Sequence, residues 1–147
     1  MFAKKLEKNC NYAQLSCPLA ENEQQYLRYM SNKLKTILLE DDMVARMILE
    51  NYCSNHPSIE FVKDFDDIAE AIDYINTHPV DLIFLDIQLK NSSGFDLLQH
   101  VPSTTKVIIT TSDSDNIEKA HSYHIDNILI KPITLESFLW SIKKLSD

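Results

Sequence analysis

The chain has 147 residues, of which 44% are hydrophobic and 24% are charged, and its formal net charge is −8. This composition is typical of a globular protein and excludes a disordered one, and the length suffices for one domain with a sizeable core. The acidic balance argues against a nucleic-acid-binding surface, and no apolar stretch is long enough to span a bilayer. No apolar segment follows the charged N-terminus, as a secretory signal would require.

The cysteines give little sign of a disulfide framework or a metal site. The sequence has Cys10, Cys17 and Cys53, and no CxxC pair. Cys53 falls on a predicted helix, where a buried apolar role is expected. Cys10 and Cys17 could pair or bind metal, but no His or Cys at suitable spacing supports this. We therefore expect a protein of the reducing cytoplasm.

Residues 1–35 do not share the pattern of the rest of the chain. We predict an N-terminal extension that is loosely ordered or partly helical, with a possible helix over residues 19–34. Met30 also resembles a natural start, so residues 1–29 could be a misassigned upstream segment. A native N-terminal peptide that begins before Met30 would exclude that hypothesis.

From residue 36 onward, strand-like and helix-like patterns alternate. The first helix has Val44, Met47, Ile48 and Tyr52 on one face, and the last is clearly amphipathic. Five βα units predict a parallel sheet with right-handed crossovers and helices on both faces. In chain order the predicted elements are a strand at 36–39, a helix at 43–55, a strand at 59–62, a helix at 67–76, a strand at 81–86, a short helix opened by Gly94, a strand at 106–110, a helix at 115–124, a strand at 127–130 and a helix at 135–145.

Reactive groups follow three of the predicted strands. Asp86 ends the third strand, the run Glu40-Asp41-Asp42 follows the first, and Lys131 follows the fifth. In open α/β sheets, ligands bind and chemistry occurs at the carboxyl ends of the strands. The convergence of carboxylates and a lysine at one sheet edge indicates a phosphoryl-transfer site.

The acidic run Glu40-Asp41-Asp42 has two interpretations. Carboxylates favour helix N-termini, and one of them, Asp42, is expected to cap the first helix. Three in a row facing Asp86 repel one another, and a divalent cation relieves that repulsion. Mg²⁺ suits such a site, because it accepts one or two carboxylates, waters and a phosphate oxygen.

Asp86, Lys131 and a threonine are the other candidates. Asp86 could act as a nucleophile that forms an aspartyl phosphate, or it could merely cap a turn. Lys131 could reach solvent, but opposite acidic groups it is expected to pair with Asp86 or its phosphate. Thr110 or Thr111 could offer a hydroxyl, although β-propensity alone explains threonine at a strand end.

With these residues assembled, residues 36–147 resemble the receiver domain of bacterial two-component response regulators. Each motif alone is weak, and the ordered set is strong. The resemblance implies a flavodoxin-like (βα)5 fold with strand order 2-1-3-4-5. It rests on Leu39-Glu40-Asp41-Asp42, Asp81-Leu82-Ile83-Phe84-Leu85-Asp86, Gly94, Thr110-Thr111-Ser112 and Ile130-Lys131-Pro132.

The resemblance also implies roles at the phosphoacceptor and the metal. Asp86 would accept a phosphoryl group from a sensor histidine kinase or a histidine phosphotransfer protein. Asp41, Asp86 and the backbone carbonyl of Gln88 would bind Mg²⁺ directly, and Glu40 would act through a water.

Three further positions match the family. Thr111 fits the switch hydroxyl better than Thr110, because the small Ser112 follows it. Lys131 would contact the phosphate, with Lys131-Pro132 in the cis form that proline tolerates. Gly94 fits a turn that needs positive φ or a close backbone approach.

Two positions depart from the family pattern. Lys90 stands where many receivers have proline, four residues after the phosphoacceptor, and adds positive charge near the site. Ile128 stands where a switching Tyr or Phe is usual, so the common threonine–aromatic coupling is altered or absent. The stretches Ile87–Leu89 and Phe95–Leu98 resemble receivers that accompany LytTR-type DNA-binding domains, and no such domain is present in this sequence.

The leading functional prediction is a phosphorylatable signalling switch and not an enzyme. It would signal to a protein partner, or form a homodimer, through the face of the fourth helix, fifth strand and fifth helix. A phosphate-shuttle receiver in a relay is an alternative, as is a Mg²⁺-dependent phosphohydrolase, although Gln88 stands where such enzymes usually place a second Asp. A nucleotide or flavin module lacks a glycine-rich loop here, and a degenerate receiver conflicts with the intact acidic set.

Overall fold

The structure, a computed structural model, describes residues 32–146, so the predictions for residues 1–31, including Cys10 and Cys17, lie outside the described part. Five strands and five helices alternate over this range. The strands are β1 (Leu34–Leu39), β2 (Ile59–Phe65), β3 (Leu82–Asp86), β4 (Lys106–Thr111) and β5 (Asn127–Ile130). The helices are α1 (Met43–Asn55), α2 (Ile68–Thr77), α3 (Phe95–Leu98), α4 (Ser114–Ala120) and α5 (Leu135–Lys144).

The five strands form one parallel sheet in the order β2-β1-β3-β4-β5. This order confirms the predicted fold, and it places the reversal of strand order between β1 and β3. Ligand crevices in open α/β sheets lie at such a switch point. The element bounds differ modestly from the predictions: β1 already begins at Leu34, which excludes Leu34 from the possible N-terminal helix, and α4 ends at Ala120.

The core has two parts, one on each face of the sheet, because side chains along a strand alternate between faces. One part packs against α2, α3 and α4, and the other packs against α1 and α5. Fully buried strand residues of the first part are Ile37, Leu39, Ile83, Leu85 and Ile109. Fully buried residues of the second are Leu38, Leu49, Cys53, Leu82, Phe84, Ile108 and Phe138.

Of the apolar face expected on α1, Tyr52 packs against the core, and the other three residues are exposed. Val44 and Met47 are 66% and 62% exposed, and Ile48 is 40% exposed. The helix instead buries Leu49 and Cys53, which are spaced by four and lie on one line of the helix. The apolar residues of α1 therefore occupy two faces, and periodicity alone selected the one that is mostly exposed. The expected burial of Cys53 is confirmed, and it raises the pKa of its thiol to about 12.

Gly94 lies at the start of α3 because two backbone segments approach closely there. Its φ of −57° is ordinary helical backbone, so of the two reasons expected for a glycine here, a positive φ does not apply. A Cβ at Gly94 would overlap the carbonyl oxygen of Asp86 and lie 2.9 Å from the Cα of Ile87. The close approach is therefore what requires glycine. Within residues 32–146, no helix is long and apolar enough to cross a membrane.

Candidate functional site

The carboxylates predicted to converge do lie together at the carboxyl edge of the sheet. Glu40 follows β1 and Asp86 is the last residue of the adjacent β3. Oxygen atoms from Glu40, Asp41 and Asp86 all lie within 4.8 Å of one another. Glu40 is fully buried and Asp86 is 2% exposed. Two nearly buried carboxylates this close are unfavourable unless cations compensate them.

Lys131 supplies that compensation from the end of β5. Its Nζ donates to Glu40 Oε2 at 2.7 Å and to Asp86 Oδ2 at 3.0 Å. Burial raises the pKa of Glu40 to about 7, although Lys131 opposes this change. Burial lowers the pKa of Lys131, but the hydrogen bonds and charges of the two carboxylates outweigh it and raise that pKa. The peptide bond Lys131-Pro132 is cis, as the resemblance implied.

Asp41 and Asp42 divide the remaining acidic roles. Asp42 caps α1 by accepting a hydrogen bond from the backbone N–H of Ala45 at 2.8 Å, which confirms the capping prediction. Asp41 is half-buried, and its Oδ2 accepts from the backbone N–H of Lys90 at 2.6 Å. A proline at position 90 has no N–H and could not make this bond. The identity of Lys90 indicates only its side-chain charge, and this backbone contact carries no signal in the sequence.

Thr111 ends β4 at the same edge, and its backbone carbonyl accepts from the N–H of Lys131 at 2.8 Å. Its buried hydroxyl accepts from the backbone N–H of Asp113 at 3.1 Å and from Asn116 Nδ2 at 3.2 Å. Asn116 belongs to α4 and was missed, because an asparagine five residues after a strand carries no recognisable motif. The neighbouring Thr110 is also buried, and its hydroxyl has no hydrogen-bond partner within residues 32–146.

Gln88 borders the site through its backbone and its side chain. Its N–H donates to Asp86 Oδ1 at 2.9 Å. Its side-chain Oε1 accepts from the hydroxyl of Ser112 at 3.0 Å, which links the loop after β3 to the loop after β4. Ile128, in contrast, packs against the apolar core on the α2–α4 side of the sheet.

The three carboxylates fit a magnesium ion. Glu40, Asp41 and Asp86 together with Lys131 carry a formal charge of −2 when all are ionised. Each carboxylate has about four lone-pair positions, and two hydrogen bonds each to Glu40 and Asp86 leave positions free. All the donors are oxygen atoms, which Mg²⁺ prefers. A cation would offset the repulsion that Lys131 alone does not neutralise.

The fold and the site together define an α/β domain with a buried, lysine-paired aspartate at its topological switch point. The sequence model of the response regulator receiver domain matches residues 36–143. The chain therefore belongs to the response regulator receiver family, a family of signalling domains in two-component systems. The resemblance deduced from the sequence motifs is confirmed.

Individual relatives agree with this assignment. The chain is 30% identical over 116 residues to the sensory transduction protein LytT of Enterococcus faecalis, covering 77% of this chain and 48% of that protein. It is 34% identical over 82 residues to the Fimbriae Z protein of Salmonella typhimurium, covering 54% and 39%. The chain thus spans about half or less of the length of these relatives. The LytT match agrees with the likeness to LytTR-type receivers.

Solved structures share the fold. The response regulatory domain of protein mrkE from Klebsiella pneumoniae superposes with a TM-score of 0.70 at 23% identity, covering 77% of this chain and 95% of that one. A DNA-binding response regulator of the LuxR family from Staphylococcus aureus gives 0.68 at 24% identity, covering 78% and 99%. At this identity the likeness concerns the fold alone.

Proposed function

We propose that residues 36–147 accept a phosphoryl group from a phosphohistidine onto Asp86, in a Mg²⁺-dependent reaction. The observation that carries this proposal is the contact of Lys131 Nζ with both Asp86 and Glu40. A lysine that contacts the acceptor carboxylate can shift its contact to an incoming phosphoryl oxygen and stabilise the negative charge there. The family membership supports the same chemistry.

The transfer requires few groups. A carboxylate oxygen of Asp86 attacks phosphorus, and an acyl phosphate bond forms while the P–N bond of the phosphohistidine breaks. The imidazole nitrogen leaves with the bonding electron pair. Lys131 exchanges its contact with Asp86 for one with the phosphoryl group, and Thr111 is the proposed hydroxyl donor to that group. Lys131 and Thr111 thus stabilise the charge of the phosphoryl group, and the residues that assist the transfer on the acceptor side all belong to this chain.

Mg²⁺ would neutralise charge between the acceptor and the phosphoryl oxygens. Asp41, Asp86 and the backbone carbonyl of Gln88 are its proposed direct ligands, and Glu40 would act through a water. The close grouping of the three carboxylates supports this assignment. The side-chain oxygen of Gln88 already accepts from Ser112, and position 88 has no carboxylic acid of the kind a phosphohydrolase would use.

The proposed donor is a sensor histidine kinase or a histidine phosphotransfer protein in the cytoplasm. Phosphorylation replaces the single negative charge of the Asp86 carboxylate with a phosphoryl group that carries about −1.5 to −2 charge, and it would shift the α4–β5–α5 face between two states. Exposed apolar residues on β5 and α5, namely Ile130, Leu139 and Trp140, support a protein partner or a second copy there. Leu34 and Lys35 belong to β1, so the proposed extension outside this domain is shortened from residues 1–35 to residues 1–33. A relay shuttle is a variant of the same proposal.

Intact-protein mass spectrometry after incubation with acetyl phosphate and Mg²⁺ tests the chemistry. We expect one added phosphoryl group, lost after hydroxylamine treatment and absent when EDTA replaces Mg²⁺. Asp86→Asn should take up none, whereas Asp73→Asn, at an exposed site on α2, should behave as wild type. A label that persists in Asp86→Asn, or a wild type that acquires none, contradicts the proposal.

A further inference from the structure

The hydroxyl of Thr111 is fully engaged as an acceptor. A threonine hydroxyl has two lone pairs and one hydrogen. The N–H of Asp113 and Nδ2 of Asn116 occupy the two acceptor positions, at 3.1 and 3.2 Å. The hydrogen has only a long contact, 3.5 Å, with the backbone oxygen of Asp113. Thr111 is therefore tied to its own loop and to α4, and its hydrogen is weakly used.

The usual route from this threonine to the output face lacks its aromatic residue in this chain. Ile128 stands where an aromatic side chain would follow the threonine, and it is an aliphatic residue packed in the core. It offers no hydroxyl and no ring to fill space that Thr111 vacates. Among the side chains of residues 32–146, Asn116 is the one bonded to the Thr111 hydroxyl.

We propose that Asn116 couples the phosphorylation state of Asp86 to helix α4, through its hydrogen bond to Thr111. This inference rests on the proposed function. When the Thr111 hydroxyl donates to a phosphoryl oxygen, its oxygen moves away from α4. The carboxamide of Asn116 loses its acceptor, and the first turn of α4 loses its side-chain tie to the edge of the sheet. Asn116 is thus a positioning residue and touches neither the phosphoryl group nor the metal.

The geometry of α4 makes this tie effective. The helix has only seven residues, and Asn116 lies in its first turn. Its N-cap, Asp113, accepts from the N–H of Asp115, so Asp113 and Asn116 connect the same turn to Thr111. A short helix depends on tertiary contacts more than on its own hydrogen bonds. Loss of one neutral hydrogen bond should increase local opening about threefold to tenfold.

Hydrogen–deuterium exchange of peptides that cover α4 tests the coupling. Wild type should exchange about threefold to tenfold faster in α4 after acetyl phosphate and Mg²⁺ modify Asp86. Asn116→Ala should show the faster exchange before phosphorylation, with little further change after it. Alanine is the better helix former, so faster exchange in this variant opposes its propensity and reports the lost bond. Asn116→Leu, which keeps the bulk without a donor, should match Asn116→Ala.

Glu118→Ala is the matched control, because position 118 is exposed on the same helix. It should respond to phosphorylation as wild type does. Mass spectrometry of the same samples separates the two proposals. Phosphate on Asp86 with an unchanged α4, or a wild-type response in Asn116→Ala, overturns the coupling alone. Absence of phosphate from the wild type overturns the proposed function and the coupling together.

Discussion

The two halves of the site are held in different ways. On one side, Lys131 joins the buried carboxylates of Glu40 and Asp86 through bonds between full charges. On the other side, Thr111 is held by Asp113 and Asn116 through neutral hydrogen bonds. Removing one partner of a buried ion pair is costly, because it leaves the other charge buried and unpaired. A neutral hydrogen bond, in contrast, contributes about 1 kcal/mol. The charged half is therefore suited to chemistry, and the neutral half is suited to reversible switching.

The largest expected effect comes from removing the cation of the charged half. Lys131→Met leaves Glu40 and Asp86 buried without their partner. We expect the free energy of unfolding to fall by about 3 kcal/mol at pH 8 in EDTA, since loss of one partner of a buried ion pair has this order of cost. Urea denaturation followed by circular dichroism measures it. Added Mg²⁺ should restore part of the loss.

Lys106→Met is the matched control for that substitution. Lys106 is also half-buried, but its Nζ donates to the backbone carbonyl of Leu145 at 3.0 Å and pairs with no carboxylate of residues 32–146. Its removal should cost about 1 kcal/mol, the ordinary value for a hydrogen bond. Equal losses of stability for the two variants would show that the ion pairs of Lys131 contribute no more than an ordinary hydrogen bond.

The second effect follows from the raised pKa of Glu40. Its pKa is about 7 in the folded protein against 4.5 as the ordinary value. Between these values the folded state binds the proton more tightly, so stability from this group is present below pH 4.5 and is lost as the pH rises to 7. Relative to wild type, the free energy of unfolding of Glu40→Gln should therefore rise by up to about 3 kcal/mol as the pH increases from 4 to 8.

Urea titrations of both proteins in EDTA at a series of pH values measure that difference. The raised pKa of Lys131 does not contribute, because its ionisation changes only above this pH window. Added Mg²⁺ should reduce the difference at pH 8, because the cation favours the ionised carboxylate. A constant difference across the pH range would show that folding does not raise the pKa of Glu40.

The contrast between the halves also explains what sequence could predict. Parallel strands bring their carboxyl ends to one edge, so the motifs that contain Glu40, Asp86 and Lys131 were enough to predict that these residues meet. The partners of Thr111 depend on the path of the loop before α4, which no periodicity encodes. On α1, two apolar faces competed, and only packing against the sheet decided between Met47 and Leu49.

The smallest expected effect concerns Lys90. Its backbone N–H contacts Asp41, which the sequence motif predicts as a site residue, but the contact itself depends on the path of the loop after β3. Lys90→Pro removes the N–H that donates to Asp41 Oδ2, whereas Lys90→Ala removes the same charge and retains that N–H. Without this donor, the Asp41 carboxylate is freer to bind a cation. Isothermal titration should give a Kd for Mg²⁺ about threefold lower for Lys90→Pro than for Lys90→Ala. Equal Kd values would show that the loop contact does not restrain Asp41.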